Sequence, residues 1–136
     1  MQVKEIMHNI TKISSDSYIS EAAKIMDKKS IGSVLIEEDN KIAGIMTERD
    51  ILRKIVAKGK NPNVLKVKDI MNHPIITIDA NEEIAEASKK MGQNKIRRLI
   101  VTENDKIVGI VTANSIARSL KYLLVRKTPV YTRPEY

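Results

Sequence analysis

The stretch Gly44-Ile45-Met46-Thr47-Glu48-Arg49-Asp50 combines residue types that could bind a phosphorylated sugar. A threonine at a helix start can accept a hydrogen bond from a first-turn amide, and the remaining amides leave a partial positive charge that suits phosphate. Asp50 offers two acceptor oxygens for ribose hydroxyls, and Gly44 leaves room for close approach because it has no Cβ. The same spacing, a threonine with an acid three residues later, is also that of a helix cap that binds no ligand.

A strand and a helix must position this motif. Residues 42–46 form a short apolar run, and residues 48–57 carry apolar side chains at helical spacing on one face. We therefore predict that the strand ends and the helix begins at Thr47. The predicted apolar face of the helix comprises Ile51, Leu52, Ile55 and Val56.

Composition limits the partners of the chain. A formal net charge of +7 attracts polyanions, which include nucleic acids, anionic membrane surfaces and small phosphorylated ligands. Proteins that bind single strands usually add aromatic residues for stacking, but Trp and Phe are absent and Tyr18 alone lies outside the last fifteen residues. Nucleic acid is therefore the less favoured partner.

Metal, membrane and catalytic sites are not expected. The chain has no cysteine, and His8 and His73 are too few for a histidine-rich metal cluster. The apolar runs 34–36 and 99–101 are far shorter than the roughly 20 residues of a spanning helix, and no signal-peptide apolar region is evident. No nucleophile–base pair, P-loop or dinucleotide fingerprint is present. We expect a cytoplasmic protein that is not an enzyme, has no membrane partner and requires no cofactor.

The chain contains an internal duplication. Residues 3–7 (Val-Lys-Glu-Ile-Met) reappear at residues 67–71 as Val-Lys-Asp-Ile-Met, and after one inserted residue the halves run in step at an offset of 65 (112 minus 47). Each half is predicted to be β-α-β-β-α. We assign repeat 1 to residues 1–57, a breaker-rich linker to 58–66, repeat 2 to 67–124 and a basic C-terminal tail to 125–136.

The periodicity also predicts how the halves pack. Apolar residues at helical spacing mark a helix face at Ile19–Met26 and at Ile84–Met91, and Asp39-Asn40 and Asn104-Asp105 mark hairpin turns. A half of roughly sixty residues buries little surface alone. We therefore expect the two repeats to pack about a pseudo-twofold axis as one module. We also expect the two helix faces to stay partly uncovered and to form a homodimer.

Together these features resemble a pair of CBS domains, the tandem regulatory unit called a Bateman module. The resemblance rests on the duplicated opening, the helix with paired small residues, the hairpin and the Gly-hydrophobic-hydrophobic-Thr-x-x-Asp closure, and it covers residues 1 to about 124. It implies a non-catalytic α/β module that binds AMP, ADP, ATP or S-adenosylmethionine between the repeats. It also implies a homodimer that regulates a partner, here expected to be a separate protein.

The resemblance further implies residue roles. In the family, the Thr of the motif lies near ribose and phosphate, the Asp binds ribose hydroxyls and the start of the first strand reads adenine. Basic residues on the middle strand of the opposite repeat often meet the phosphates, as guanidinium forks can. Carried over, the ligand-binding residues are Thr11, Lys12, Ile13, Thr47, Asp50, Arg97 and Arg98, although the two arginines could instead be a surface pair beside the hairpin.

The second repeat departs from this pattern. Ser115 stands where Asp50 stands in the first repeat, and Gly32 and Ser33 stand where the two arginines stand. We therefore expect one dominant nucleotide site per chain. Loss of the acid from one copy also argues that Asp50 does more than cap a helix. The weaker second cleft would comprise Thr77, Ile78, Thr112 and Ser115.

Two alternatives stay open. The chain could be a basic scaffold that binds nucleic acid or a partner protein and whose nucleotide cleft is vestigial. The tail, Lys121 to Tyr136, begins as a continuation of the last helix before its prolines stop it. Beyond that point, packing on a neighbouring subunit and disorder are both compatible with its composition.

Overall fold

The structure is a computed structural model, and it describes residues 1–127. Each half has the predicted order β-α-β-β-α, preceded by a short 3-10 turn. The last helix continues to Lys127. The residues on which the predictions for the rest of the tail depend, Pro129, Tyr131, Pro134 and Tyr136, lie outside the described residues. In the first half the 3-10 turn is Val3–Glu5, β1 Lys12–Ser14, α1 Ile19–Lys29, β2 Ser33–Glu38, β3 Lys41–Thr47 and α2 Glu48–Asp50; in the second the turn is Val67–Asp69, β4 Thr77–Asp79, α3 Ile84–Asn94, β5 Arg98–Glu103, β6 Lys106–Thr112 and α4 Ala113–Lys127.

Each half contains one three-stranded sheet. The first strand runs parallel to the middle strand, which pairs antiparallel with the third. In the first sheet Lys12 lies opposite Leu35, which lies opposite Ile45, and the second sheet has the same register 65 residues later. This topology brings the start of the first strand to the same end of the sheet as the end of the third, about 10 Å apart across two strand spacings.

Both predicted hairpins turn through two residues with left-handed backbone. The strand ladder closes on either side of Asp39 and Asn40, whose φ angles are 51° and 63°. A two-residue loop with positive φ at both positions is a type I′ turn, whose twist matches that of the strands. Asn104 and Asp105 repeat these φ values in the second hairpin. Short polar side chains that tolerate this backbone therefore define both registers.

The first helix of each half buries the predicted face in the core of its own half. Ile19, Ala22 and Met26 are at most 5% exposed, and Ile84, Ala87 and Met91 at most 8%. The expectation that these faces stay partly uncovered is wrong, because they are already covered within one chain; the homodimer stays a prediction and needs other surfaces. Methionine and alanine fill the space between helix and sheet.

The compact units of the chain do not coincide with the sequence repeats. The first unit comprises Ile10–Ile75, and the second comprises Met1–Asn9 with the described residues from Ile76 onward. Val3 is 0% exposed and lies in the hydrophobic core of the second unit. Val67 is likewise 0% exposed in the first-unit core. Each copy of the Val-Lys-acid-Ile-Met motif therefore packs on the sheet of the other repeat.

Asp16 forms two ion pairs with residues 66–71, which we call the returning segment because it carries the second copy of the repeated motif back to the first sheet. Lys68 Nζ lies 3.1 Å and Lys66 Nζ 3.4 Å from Asp16 Oδ1. Hydrogen bonding from Lys68, and then its charge, lower the pKa of Asp16 below its ordinary value, and the same contact raises the pKa of Lys68. The segment is also held through its backbone, since Val67 N donates to Ser17 O at 2.9 Å.

The helix that ends the first half, which we call the first closing helix, begins with α2 and changes from α to π geometry after Asp50. Residues Ile51–Val56 form a π-helix, in which Ala57 N donates to Leu52 O at 2.8 Å. Ile55 is 1% exposed, whereas Leu52 is 58% and Val56 65% exposed. The predicted four-residue apolar face is therefore only half correct. Leu52 and Val56 each lie one position after Ile51 and Ile55 and face away from the core.

Candidate functional site

The predicted ligand motif lies where β3 meets α2 in the first unit. Asp50 N donates to Thr47 Oγ1 at 3.3 Å, and Asp50 Oδ2 accepts from Thr47 N at 2.8 Å and from Thr47 Oγ1 at 3.0 Å. These reciprocal bonds form a capping box, which satisfies first-turn donors of the helix. The helix cap that the Thr-x-x-Asp spacing also predicts is therefore present in the structure.

Two further side chains complete what we call the Asp50 cluster: Thr47, Asp50, Lys54 and Asn72. Asn72 Nδ2 donates to Asp50 Oδ2 at 2.8 Å, and Lys54 Nζ lies 3.3 Å from Asp50 Oδ1. Lys54 also donates to Asn72 Oδ1 at 3.1 Å and to Ile70 O at 2.8 Å. Asp50 is only 8% exposed. Its charge is compensated by Lys54 and by charge-assisted hydrogen bonds, as a buried carboxylate requires.

Sequence analysis missed Lys54 and Asn72. Lys54 carries a readable signal, because an acid and a lysine four residues apart on a helix lie on neighbouring turns. Asn72 has no such signal. It immediately follows the repeated Val-Lys-acid-Ile-Met motif and reaches Asp50 only because that segment pairs with β3, where Asn72 N donates to Ile45 O at 2.8 Å.

Gly44 provides room for the protein chain rather than for a ligand. A Cβ at this position would lie 2.7 Å from Met71 Sδ and 2.8 Å from Asn72 O. The expectation that Gly44 allows close approach of a ligand is therefore wrong. Gly109 has the same role in the second unit, where a Cβ would lie 2.8 Å from Met7 Sδ.

The second unit holds an uncharged counterpart, the Ser115 cluster of His8, Thr112 and Ser115. Ser115 N donates to Thr112 Oγ1 at 3.0 Å, and the two hydroxyl oxygens lie 2.7 Å apart. His8 Nε2 lies 2.7 Å from Ser115 Oγ. Both repeats therefore keep a side-chain cap at this junction, and the absence of an acid from the second copy is compatible with a capping role for Asp50.

The family model of the CBS domain matches residues 3–57 and 67–122, which together make up most of the chain. The chain belongs to the CBS-domain family. Both matches begin at the repeated Val-Lys-acid-Ile-Met motif and include the Thr-x-x-Asp and Thr-x-x-Ser junctions. The two CBS repeats are thus recognised in sequence although each exchanges its opening segment in the fold.

Relatives extend over nearly the whole pair of CBS repeats. An uncharacterized protein of Methanopyrus kandleri is 46% identical over 107 residues, 76% of this chain and 54% of that protein. This chain thus spans about half the length of that relative. Hypoxic response protein 1 of Mycobacterium tuberculosis is 33% identical over 119 residues, 86% of this chain and 83% of that protein. A hexameric CBS-CP12 protein from bloom-forming cyanobacteria has a TM-score of 0.84 at 26% identity, covering 91% of this chain and 73% of that one.

The other predicted site residues divide between the two units. Thr11 O accepts from Leu35 N at 2.8 Å at the start of β1, in the unit of the Asp50 cluster, which also contains Lys12 and Ile13. Arg98 lies opposite Thr112 in the pairing of β5 with β6, and the carbonyl of Arg97 accepts from Ala113 N at 2.9 Å. The arginines therefore share a unit with the Ser115 cluster, together with Thr77, Ile78, Thr112 and Ser115.

Two open grooves are lined by no residue of either cluster. One, of about 390 Å³, runs between β4 and α3 and is lined in part by Thr77 and Ile78. Lys90 Nζ donates to the carbonyl of Thr77 there. The other, of about 460 Å³, lies between α1 and the start of the closing helix near Glu48 and Ile51. Neither groove includes Asp50 or Ser115, so the candidate site rests on the side-chain clusters.

Residues 1–127 lack two other kinds of feature. That part of the chain contains no group of three or more His, Cys, Asp or Glu side chains placed to hold a metal ion. It also contains no helix with the length and apolar character needed to cross a membrane.

Proposed function

We propose that this CBS-domain protein is a non-catalytic regulatory module that binds an adenosine nucleotide and acts on a separate partner protein. The observation that carries the proposal is the Asp50 carboxylate. It is held at the start of a helix with its orientation defined by three hydrogen bonds to Oδ2. A carboxylate oriented in this way has an oxygen, Oδ1, that can accept a hydrogen bond from a ribose hydroxyl.

Each remaining site residue has a role in this proposal. Thr47 lies near ribose and phosphate, and the backbone of Thr11, Lys12 and Ile13 reads the adenine ring. Arg97 and Arg98 bind phosphate, for which a planar guanidinium is suited. AMP, ADP, ATP and S-adenosylmethionine all carry the required adenosine. The residues Thr77, Ile78, Thr112 and Ser115 form a weaker second site because Ser115 supplies no charged acceptor.

Thermal-shift measurements with AMP, ADP, ATP, S-adenosylmethionine, GTP and a short oligonucleotide test the proposal. An adenosine ligand at 100 times its Kd should stabilise the folded protein by about 2.7 kcal/mol. GTP should stabilise it less. Loss of ATP during prolonged incubation with the protein would contradict the non-catalytic part of the proposal.

A second candidate function is a basic scaffold for nucleic acid or an acidic protein surface. It is favoured by the net charge of +7 and by the exposed cations Arg49, Arg53, Lys58 and Lys60 in and after the first closing helix. Salt separates the candidates, because binding across many phosphates weakens steeply as salt rises, whereas a mononucleotide site weakens less. Oligonucleotide binding with a steep salt dependence and no shift with any nucleotide would favour the scaffold.

A further inference from the structure

The two oxygens of Asp50 are used unequally. Oδ2 accepts from Thr47 N, Thr47 Oγ1 and Asn72 Nδ2, at 2.8, 3.0 and 2.8 Å. A carboxylate has about four lone-pair sites on its two oxygens, so three donors saturate Oδ2. Within residues 1–127, Oδ1 has Lys54 as its partner, at the longer distance of 3.3 Å. Oδ1 is therefore the oxygen with acceptor capacity left for a ligand.

Lys54 determines which end of the Asn72 amide faces Asp50. A lysine ammonium only donates hydrogen bonds, so the amide must present Oδ1 to Lys54, and the contact measures 3.1 Å. The amide nitrogen then faces Asp50 Oδ2. Lys54 is itself held by Ile70 O at 2.8 Å. The paired backbone groups of Asn72 and Ile45, at 2.8 and 3.1 Å, fix the position of the asparagine.

We propose that Asn72, oriented by Lys54, is a positioning residue that holds Asp50 so that Oδ1 faces a ribose hydroxyl. The inference rests on the proposed nucleotide function and adds a residue that lies beyond the linker. Asn72 belongs by sequence to the opening of the second CBS repeat, yet it acts on the site of the first unit. Ribose recognition therefore depends on the chain segment that leads into the second repeat.

The test compares ATP with 2′-deoxy-ATP and 3′-deoxy-ATP by calorimetry. The readout is ribose discrimination, the Kd for a deoxy analogue divided by the Kd for ATP. A hydrogen bond to a charged acceptor predicts discrimination on the order of tenfold to a hundredfold for the native protein. Asn72→Ala should reduce it to within about threefold. Asn72→His, which can donate from a ring nitrogen, should recover part of it.

Matched variants make the result specific. Asn94→Ala removes another asparagine side-chain donor, one that bonds Lys90 O at 2.8 Å in the second unit, and should leave discrimination unchanged. Asn72→Asp keeps the shape of the side chain but cannot donate when ionised, and should lose discrimination as Asn72→Ala does. Since both ligands are measured on one variant, a general loss of stability does not change the ratio.

The outcomes separate the two proposals. If Asp50→Asn abolishes discrimination but Asn72→Ala and Asn72→Asp retain it, the positioning role is overturned and the nucleotide function stands. If the native protein binds none of the three nucleotides, and AMP, ADP and S-adenosylmethionine give no thermal shift either, the nucleotide function and the positioning role both fall. If Asp50→Asn keeps full discrimination, the ribose does not meet Asp50 and the positioning role is likewise overturned.

Discussion

At the residue scale, the charge at one position distinguishes the two CBS repeats. Asp50 is a carboxylate with a lysine 3.3 Å away, whereas Ser115 is a neutral hydroxyl with a histidine nitrogen 2.7 Å away. Asp50 accepts from the backbone N of Thr47, whereas the second unit keeps the Thr112 cap of its helix without an acid, so capping alone does not require the aspartate. A ligand that donates hydroxyl groups would distinguish them, because hydrogen bonds to charged acceptors are stronger than those to neutral ones.

Asp50→Ala should weaken binding of the best adenosine nucleotide by roughly tenfold to a hundredfold, the effect of losing one charged hydrogen-bond partner at 1.5–3 kcal/mol. Ser115→Ala, the matched change in the other unit, should change affinity little. Calorimetry should show about one tight site per native chain. Equal losses from the two substitutions would mean that the ligand has been assigned to the wrong repeat.

At the scale of elements, a glycine on each third strand allows an opening segment to pair with that strand. Gly44→Ala should destabilise the protein by about 1–3 kcal/mol, because the new methyl group would overlap Met71 Sδ and Asn72 O at 2.7 and 2.8 Å. Gly92→Ala is the control. It lies in α3 with no atom within 4 Å of the added Cβ, so it should stabilise the protein by up to about 1 kcal/mol. Urea unfolding would measure both, and a neutral Gly44→Ala would contradict the packing argument.

The ion pairs of Asp16 predict a pH dependence for the returning segment. Because the pKa of Asp16 is lowered in the folded state, mainly by Lys68, its contribution to stability is present above the ordinary aspartate pKa and lost as the pH falls through the lowered value. The stability difference between native protein and Asp16→Asn should therefore shrink as the pH falls below about 4, the ordinary aspartate pKa. High salt should reduce it as well, since the pair is exposed. Asp27→Asn, which breaks no ion pair within residues 1–127, serves as the control, and denaturant unfolding at several pH values gives the comparison.

At the scale of the whole molecule, the apolar residues left for assembly are not those of α1 and α3. Leu52 and Val56 are 58% and 65% exposed at neighbouring positions of the first closing helix. We propose that this surface contributes to a homodimer, since burying exposed aliphatic side chains contributes roughly 25 cal/mol per Å².

Light scattering at micromolar concentration should give twice the mass of one chain, and Leu52→Lys with Val56→Lys should give a monomer. Val64→Lys changes a residue that is also 65% exposed but lies outside the helix, and should leave the dimer intact. A monomeric native protein would contradict the proposal. A hexamer, the state named for the cyanobacterial CBS-CP12 protein, would show that further surfaces take part.

The sequence by itself determined the duplicated β-α-β-β-α order, the two polar hairpin turns, the apolar face of α1 and of α3 and the position of the Thr-x-x-Asp junction. These features follow from periodicity, turn-forming pairs and capping residues, which act over a few neighbouring positions. Because the chain is duplicated, the pattern of each element occurs twice and predicts that element from each half. The sequence alone therefore indicates membership of the CBS family.

Only the tertiary structure decided which partners surround Asp50 and how the opening segments are shared. Asn72 lies 22 positions from Asp50, and His8 lies 107 positions from Ser115. Such contacts depend on a strand edge accepting a distant segment, and the local pattern of neither segment specifies which sheet it joins. The same limit applies to Leu52 and Val56, because helical spacing groups them with Ile51 and Ile55 but does not decide which members of the group the core covers.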